Sequence, residues 1–169
     1  MTRPENFPAD NLLLTKDSCG YAMALILRAH IVTAGHVASG FPTYHVPFLD
    51  QMTDTPLQLT AGRDLAISTV ETVSRGFEKI APPSLDQCLT IVGFHGFEHV
   101  AFEINVRVIE IHPNGKVIVE WLSGTEALVG MSGSPAITEQ DEVVGILVSD
   151  VEGTNGKQLV IESVSDLKF

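Results

Sequence analysis

The apolar residues of this 169-residue chain fall in short runs rich in Val, Ile and Thr, each bounded by Gly, Pro, Asn or Asp. Helical stripes repeating every 3.6 residues are scarce, and runs of this kind suit a pleated, half-buried surface. Nine strands are predicted on that basis: "YAMALILR" (21–28), "AHIVTAG" (29–35), "DLAISTVE" (64–71), "CLTIVGF" (88–94), "HVAFEINVRVIEIHP" (99–113), "KVIVEWL" (116–122), "GSPAIT" (133–138), "EVVGILVSDV" (142–151) and "KQLVIESV" (157–164). Asn114-Gly115 between alternating runs is the strongest short-range hairpin signal, and "EQDE" and "EGTNGK" mark weaker turns. The fold class is therefore all-β, a sandwich or barrels. "EKIAPPSLDQ" (78–87), with Pro82-Pro83, is the natural linker between two halves. No internal repeat, low-complexity tract or coiled-coil heptad is present.

At 44% hydrophobic the chain can bury a sizeable core. Ten basic residues face 21 acidic ones, a net charge of −11, so no footprint for nucleic acid or an anionic membrane is visible. The acidic surplus reads as a solvated surface. "MTRPENFPADNLLL" lacks the basic flank and apolar run of a secretory signal, and no later run has the ~18 residues of a membrane span. The expectation is a soluble, unexported, cytoplasmic chain. Two cysteines, Cys19 and Cys88, without CxxC spacing fit reduced thiols better than a disulfide framework. His95 and His99 in "GFHGFEH" are four apart, but on a β-loop that spacing lacks helix geometry and a third ligand, so no metal site is expected; Trp121 and the Phe residues are most simply core.

Three stretches carry chemistry. In "IVTAGHVASG" a β-rich run ends at Gly35-His36 and passes into small residues suited to a short helical turn, which puts His36 at a strand end. In "AGRDLAIST" Asp64 precedes an apolar run, where a carboxylate is costly to bury unless a donor such as an imidazole N–H meets it. In "VGMSGSPAI" Gly130 and Gly133 flank Ser132 and permit backbone shapes that a Cβ opposes, so that the N–H groups of Gly130 and Ser132 can converge on one point, as in an oxyanion hole. Each stretch alone also reads as ordinary structure: a satisfied histidine, an exposed turn carboxylate, a hairpin connection.

Their order, His36, Asp64, Ser132, carries more weight than any one of them. "TAGHV" resembles the Thr-Ala-Ala-His motif of chymotrypsin-like serine proteases, "RDLAI" resembles their Asp-Leu-Ala-hydrophobic motif, and "GMSGSP" resembles their Gly-Asp-Ser-Gly-Gly-Pro; "EVVGILVS" looks like the strand that follows their nucleophile. The resemblance covers residues ~20 to 150. It implies two antiparallel six-stranded Greek-key β-barrels with the active site in the cleft between them. Residues 1–79 would form the barrel carrying His36 and Asp64, and residues 80–169 the barrel carrying Ser132. Nine strands fall short of twelve, and short strands in 40–60 and 72–86 are expected to make up the difference.

The resemblance also has gaps. The cysteine that follows the catalytic His in secreted digestive members is Val37 here. The Asp that precedes their nucleophile, and pairs with a freed N-terminal amine on activation, is Met131, so no zymogen switch of that kind is expected. The design looks more like HtrA-like or viral and phage members, without room for a PDZ module.

The resemblance implies a serine endopeptidase: Ser132 as nucleophile, His36 as base, Asp64 as its orienter, Gly130 and Ser132 as oxyanion donors, and neither metal nor cofactor. Counting back six residues from the nucleophile, where trypsin-like members place the floor of the primary pocket, gives Glu126, whose charge would favour Lys or Arg before the scissile bond; pointing to water is the plainer role. Val148, Ser149 and Asp150 should border the substrate, which pairs with their backbone as an added strand, and Asp150 is a second acid for a basic side chain or else a surface turn residue. The expected partner is a protein or peptide substrate, with no nucleic acid, no membrane and no regulatory partner visible in the sequence. The competing reading is a catalytically idle barrel pair kept for binding or scaffolding, for which an intact Ser, His and Asp would have no use.

Overall fold

The structure is a computed structural model that describes residues 11–16, 20–40, 44–46, 51–53, 57–69, 71, 75–95, 100–126 and 131–169. Its first half contains β1 (Asn11–Lys16), β2 (Gly20–Leu27), β3 (His30–Thr33), the short helix α1 (Gly35–Gly40), β4 (Tyr44–Val46), β5 (Gln51–Thr53), β6 (Leu57–Leu59) and β7 (Ala66–Ser68). These strands form one antiparallel seven-stranded sheet in the order β5-β4-β1-β2-β3-β7-β6. The second half contains β8 (Cys88–His95), β9 (Val100–Ile111), β10 (Lys116–Gly124), β11 (Pro135–Ile137), β12 (Val143–Asp150) and β13 (Gln158–Ser163). These six close into a barrel in the order β10-β13-β12-β11-β8-β9.

All nine strands read from the sequence are present, six of them trimmed at both ends, while β2 begins one residue earlier, β8 ends one residue later and β10 runs two residues further. The predicted short strands in 40–60 appear as β4, β5 and β6, whereas the described residues of 72–86 contribute two isolated bridges, Leu27 to Phe77 and Ile80 to Val143, in place of strands. β1 comes from a segment for which no strand was expected. It pairs along its whole length with β2, from Asn11 opposite Leu25 to Lys16 opposite Gly20. Among the described residues the first half is thus an extended sheet beside a closed barrel.

Two bodies of apolar side chains hold the architecture. One lies inside the barrel and includes Ile91, Ile104, Val106, Val117, Val119, Leu159 and Ile161. The other spans the two halves: Leu25, Ile26, Leu27, Val32 and Leu65 from the sheet meet Val92, Ile137, Val143, Ile146, Val148 and Val164 from the barrel. This explains why two strands read as continuous apolar runs with little alternation. Met23 to Leu27 in β2 are all 0% exposed, and β12 is buried from Val143 through Val148, because each strand packs on both faces. β12 sends Val144 and Leu147 into the barrel and Val143, Ile146 and Val148 into the seam.

The chain crosses from sheet to barrel between Arg75 and Ala81, pinned at both ends. Phe77 N–H donates to Ile26 O at 2.9 Å and Arg28 N–H to Phe77 O at 2.8 Å, while Val143 N–H donates to Lys79 O at 2.9 Å and Ala81 N–H to Val143 O at 3.1 Å. Gly76 makes this possible, with φ +65° and a position where a Cβ would lie 2.2 Å from Ile26 O. Among the described residues, no helix is long and apolar enough to cross a membrane.

Truncating Ile161, fully buried in the barrel, to Ala should lower stability by about 3 kcal/mol. The check is a urea titration, in which the midpoint falls while the slope stays constant.

Candidate active site

β3 ends at Thr33, and the chain turns directly into α1, where Val37 N–H donates to Ala34 O at 3.1 Å and Ala38 N–H to the same oxygen at 3.2 Å. The turn puts His36 at the start of α1, its side chain 52% exposed. Asp64 comes from the β6–β7 connection, which is closed by Thr60 N–H on Leu65 O at 2.9 Å and Arg63 N–H on Thr60 O at 3.1 Å. The two segments meet at Gly35. A Cβ there would lie 3.1 Å from both Asp64 Oδ1 and Leu65 N, so the missing side chain allows the Asp64 loop to lie against the first turn of α1.

The contact is two-pronged. His36 Nδ1 lies 2.9 Å from Asp64 Oδ2, and the His36 backbone N–H donates to Oδ1 at 2.8 Å. A carboxylate can only accept, so Nδ1 carries the proton and Nε2 is left with its lone pair. The same carboxylate thereby fixes both the tautomer of the ring and the main chain that bears it. An open cleft beside this pair is bordered by His36, Asp64 and the 59–63 segment.

Ser132 occupies a tight turn just before β11. Ser134 N–H and Oγ both donate to Met131 O, at 3.1 and 2.6 Å, and Gly133 N–H donates to Leu147 O at 2.8 Å. The turn is also tied to the sheet, since Met23 N–H in β2 donates to Ser132 O at 3.0 Å. Gly133 has φ +98°, and a Cβ on it would lie 1.8 Å from Met23 O. That oxygen accepts Thr33 Oγ1 at 2.7 Å, and Thr33 is the last residue of the strand leading to His36. Ser132 is half-buried, and its hydroxyl donates to Val148 O at 3.3 Å.

The structure thus brings His36 against Asp64 and couples the Ser132 turn to the strand that leads to His36. Gly130, expected as an oxyanion donor, lies outside the described residues, as do Cys19 and His99. Val148 keeps its side chain in the seam, 4% exposed, because β12 packs on both faces there, and its carbonyl faces Ser132. Ser149 and Asp150 are exposed at the end of β12, and Glu126 is exposed after β10. Met131, where a carboxylate would support an activation ion pair, is 1% exposed and packs in the barrel core. Cys88 is an exposed free thiol.

Sequence reasoning missed Met23, Thr33 and Glu162. Glu162 Oε1 accepts the Asp64 backbone N–H at 2.7 Å. Its one signal was a carboxylate set in the apolar run "LVIESV".

A family model described as a trypsin-like peptidase domain matches residues 21–146, more than half of the chain. The chain belongs to this family. Solved structures agree on the fold. The serine protease of a human pathogenic astrovirus is 16% identical with TM-score 0.66, covering 94% of this chain and 91% of that one. The protease domain of MamO from Magnetospirillum magneticum is 16% identical with TM-score 0.68, covering 98% and 99%. The tobacco etch virus protease, complexed with product, is 18% identical with TM-score 0.70, covering 97% and 77%. No curated protein sequence matches the chain. This trypsin-like peptidase domain therefore combines a protease fold shared with viral and bacterial members and a sequence far from each of these structures.

Gly133→Ala should cost more than about 3 kcal/mol, because its Cβ would overlap a backbone oxygen of β2 and its φ is unfavourable for an L residue. Gly153→Ala, at φ +83° with nothing within 4 Å of the added Cβ, should cost only about 1 kcal/mol. Thermal unfolding of the two variants checks the contrast.

Proposed function

We propose that this trypsin-like peptidase domain is a serine endopeptidase in which Ser132 attacks the scissile carbonyl, His36 takes and returns the proton, and Asp64 orients His36. The observation that carries the reading is the paired contact of Asp64 with His36 Nδ1 and with the His36 backbone N–H. It leaves Nε2 as the free base, which a serine hydroxyl needs in order to react at neutral pH. The Asp64 carboxylate would stabilise the imidazolium formed as the proton moves, and the acyl-enzyme on Ser132 would then be released by water activated at the same Nε2.

Ser132 is suited to its role by its turn. Gly133 brings the serine close to β2, and no described residue accepts its backbone N–H, which is thereby available to an oxyanion together with the N–H of Gly130. In the reaction the hydroxyl would exchange Val148 O for His36 Nε2. A peptide would lie along the exposed end of β12 at Ser149 and Asp150. Two exposed acids, Asp150 and Glu126, favour a basic side chain before the scissile bond.

A fluorophosphonate probe should label the wild type and fail on Ser132→Ala and His36→Ala. Asp64→Asn should keep the fold and lower kcat on the order of 10⁴-fold, the loss seen where a misoriented imidazole cannot act as base. No labelling of the wild type under any condition overturns the reading in favour of a binding module on a protease fold. A peptide library varied before the scissile bond tests the pocket: preference for Lys or Arg supports roles for Asp150 and Glu126, and preference for small or aromatic residues removes them.

A further inference from the structure

The proposed reaction makes no use of Glu162, the most deeply buried carboxylate among the described residues. Glu162 lies in β13 between Ile161 and Ser163, and its side chain is 0% exposed. A carboxylate taken from water without partners costs several kcal/mol. Three donors from two parts of the chain meet it: Arg63 Nε at 3.1 Å on Oε2, and Lys116 Nζ at 2.9 Å and the Asp64 backbone N–H at 2.7 Å on Oε1. Arg63 in turn donates to Ser163 O at 2.6 Å and pairs with Asp166. Its guanidinium lies on Gly115 at the β9–β10 turn, where a Cβ would sit 2.3 Å from Cζ. The cluster holds two cations and two carboxylates, so its charge is balanced.

Its placement gives it a consequence for the site. The Asp64 side chain reaches α1, while its main chain is held from the opposite direction by a group rooted in the barrel. An apolar residue would fill β13 at lower desolvation cost, and it would leave the Asp64 N–H without this acceptor.

We propose that Glu162 is a positioning residue, which fixes the Asp64 main chain from the barrel side and through it the orientation of His36. The proposal rests on the serine endopeptidase reading for its effect on rate. Glu162 touches no reacting atom, and its influence passes through the Asp64 N–H.

Glu162→Leu keeps about the same volume and removes the acceptor of the Asp64 N–H, whereas Glu162→Gln turns its amide toward the Arg63 donor and keeps an oxygen for that N–H. The expected result is a kcat about tenfold lower in E162L with KM within about twofold, because a displaced orienter weakens the chemical step more than binding, and a kcat nearer wild type in E162Q. Asp166→Asn takes away the exposed partner of the same guanidinium without touching the Asp64 N–H, and should keep kcat within about twofold of wild type. Unchanged kcat in E162L overturns the proposal. So does an equal loss in D166N, because the balance of charge would then account for the effect.

Hydrogen exchange of the Asp64 amide in the wild type tests the bond even if E162L fails to fold: slow exchange supports it, and exchange as fast as that of an open loop amide overturns it. If the wild type is inert to the fluorophosphonate, the endopeptidase reading alone fails. Exchange of the Asp64 amide then still decides whether Glu162 holds the Asp64 main chain.

Discussion

One residue of β2, Met23, joins the two halves at the point where Ser132 sits. Its N–H donates to Ser132 O at 3.0 Å, and its carbonyl accepts Thr33 Oγ1 at 2.7 Å. Gly133 packs so close to that carbonyl that no side chain fits between them. Met23 is 0% exposed, so neither of these bonds has water as a ready substitute, and breaking either would leave a buried polar group unpaired. The serine turn and the strand leading to His36 are thereby referred to a single residue.

That precision depends on a less specific force. The seam of Leu25, Ile26, Leu27, Val32 and Leu65 against Val143, Ile146, Val148 and Val164 presses sheet and barrel together without dictating a fine register. Hydrogen bonds crossing the seam supply the register: Met23 to Ser132, the bonds of the 75–81 crossing, and Asp64 to Glu162. Burial supplies the affinity between the halves and directional polar contacts fix their alignment.

The long strands were legible because alternation or continuous apolar runs mark half-buried or fully buried strands over six or more residues, as in β9 and β12. β4, β5 and β6 have three residues each, too few for a period of two to register; β7, equally short, was read within the longer run 64–71. The contact of His36 with Asp64 was legible through motifs, since a strand end followed by small residues and a carboxylate before an apolar run each imply a local shape. Val148 was read as lying beside the site; because β12 is buried on both faces, it offers its carbonyl to Ser132 and its side chain to the seam. Glu162 had no signal beyond the apolar run around it. Its partners lie 46, 98 and 99 positions away, and no local pattern distinguishes a paired buried carboxylate from the exposed end of a strand.

Met131 shows how the site can differ from the secreted members it resembles and still hold its shape. In those members an aspartate at this place draws the serine turn into form through an ion pair. Here the side chain is anchored in the barrel core, and the Met131 carbonyl takes both donors of Ser134. Gly133 N–H on Leu147 O and Met23 N–H on Ser132 O complete the frame. All of these are backbone or hydroxyl contacts, so they carry no net charge to be screened by salt. The described part of the turn is therefore shaped by the docking of the sheet on the barrel, and its geometry follows from the packing of the domain without a charged switch at Met131.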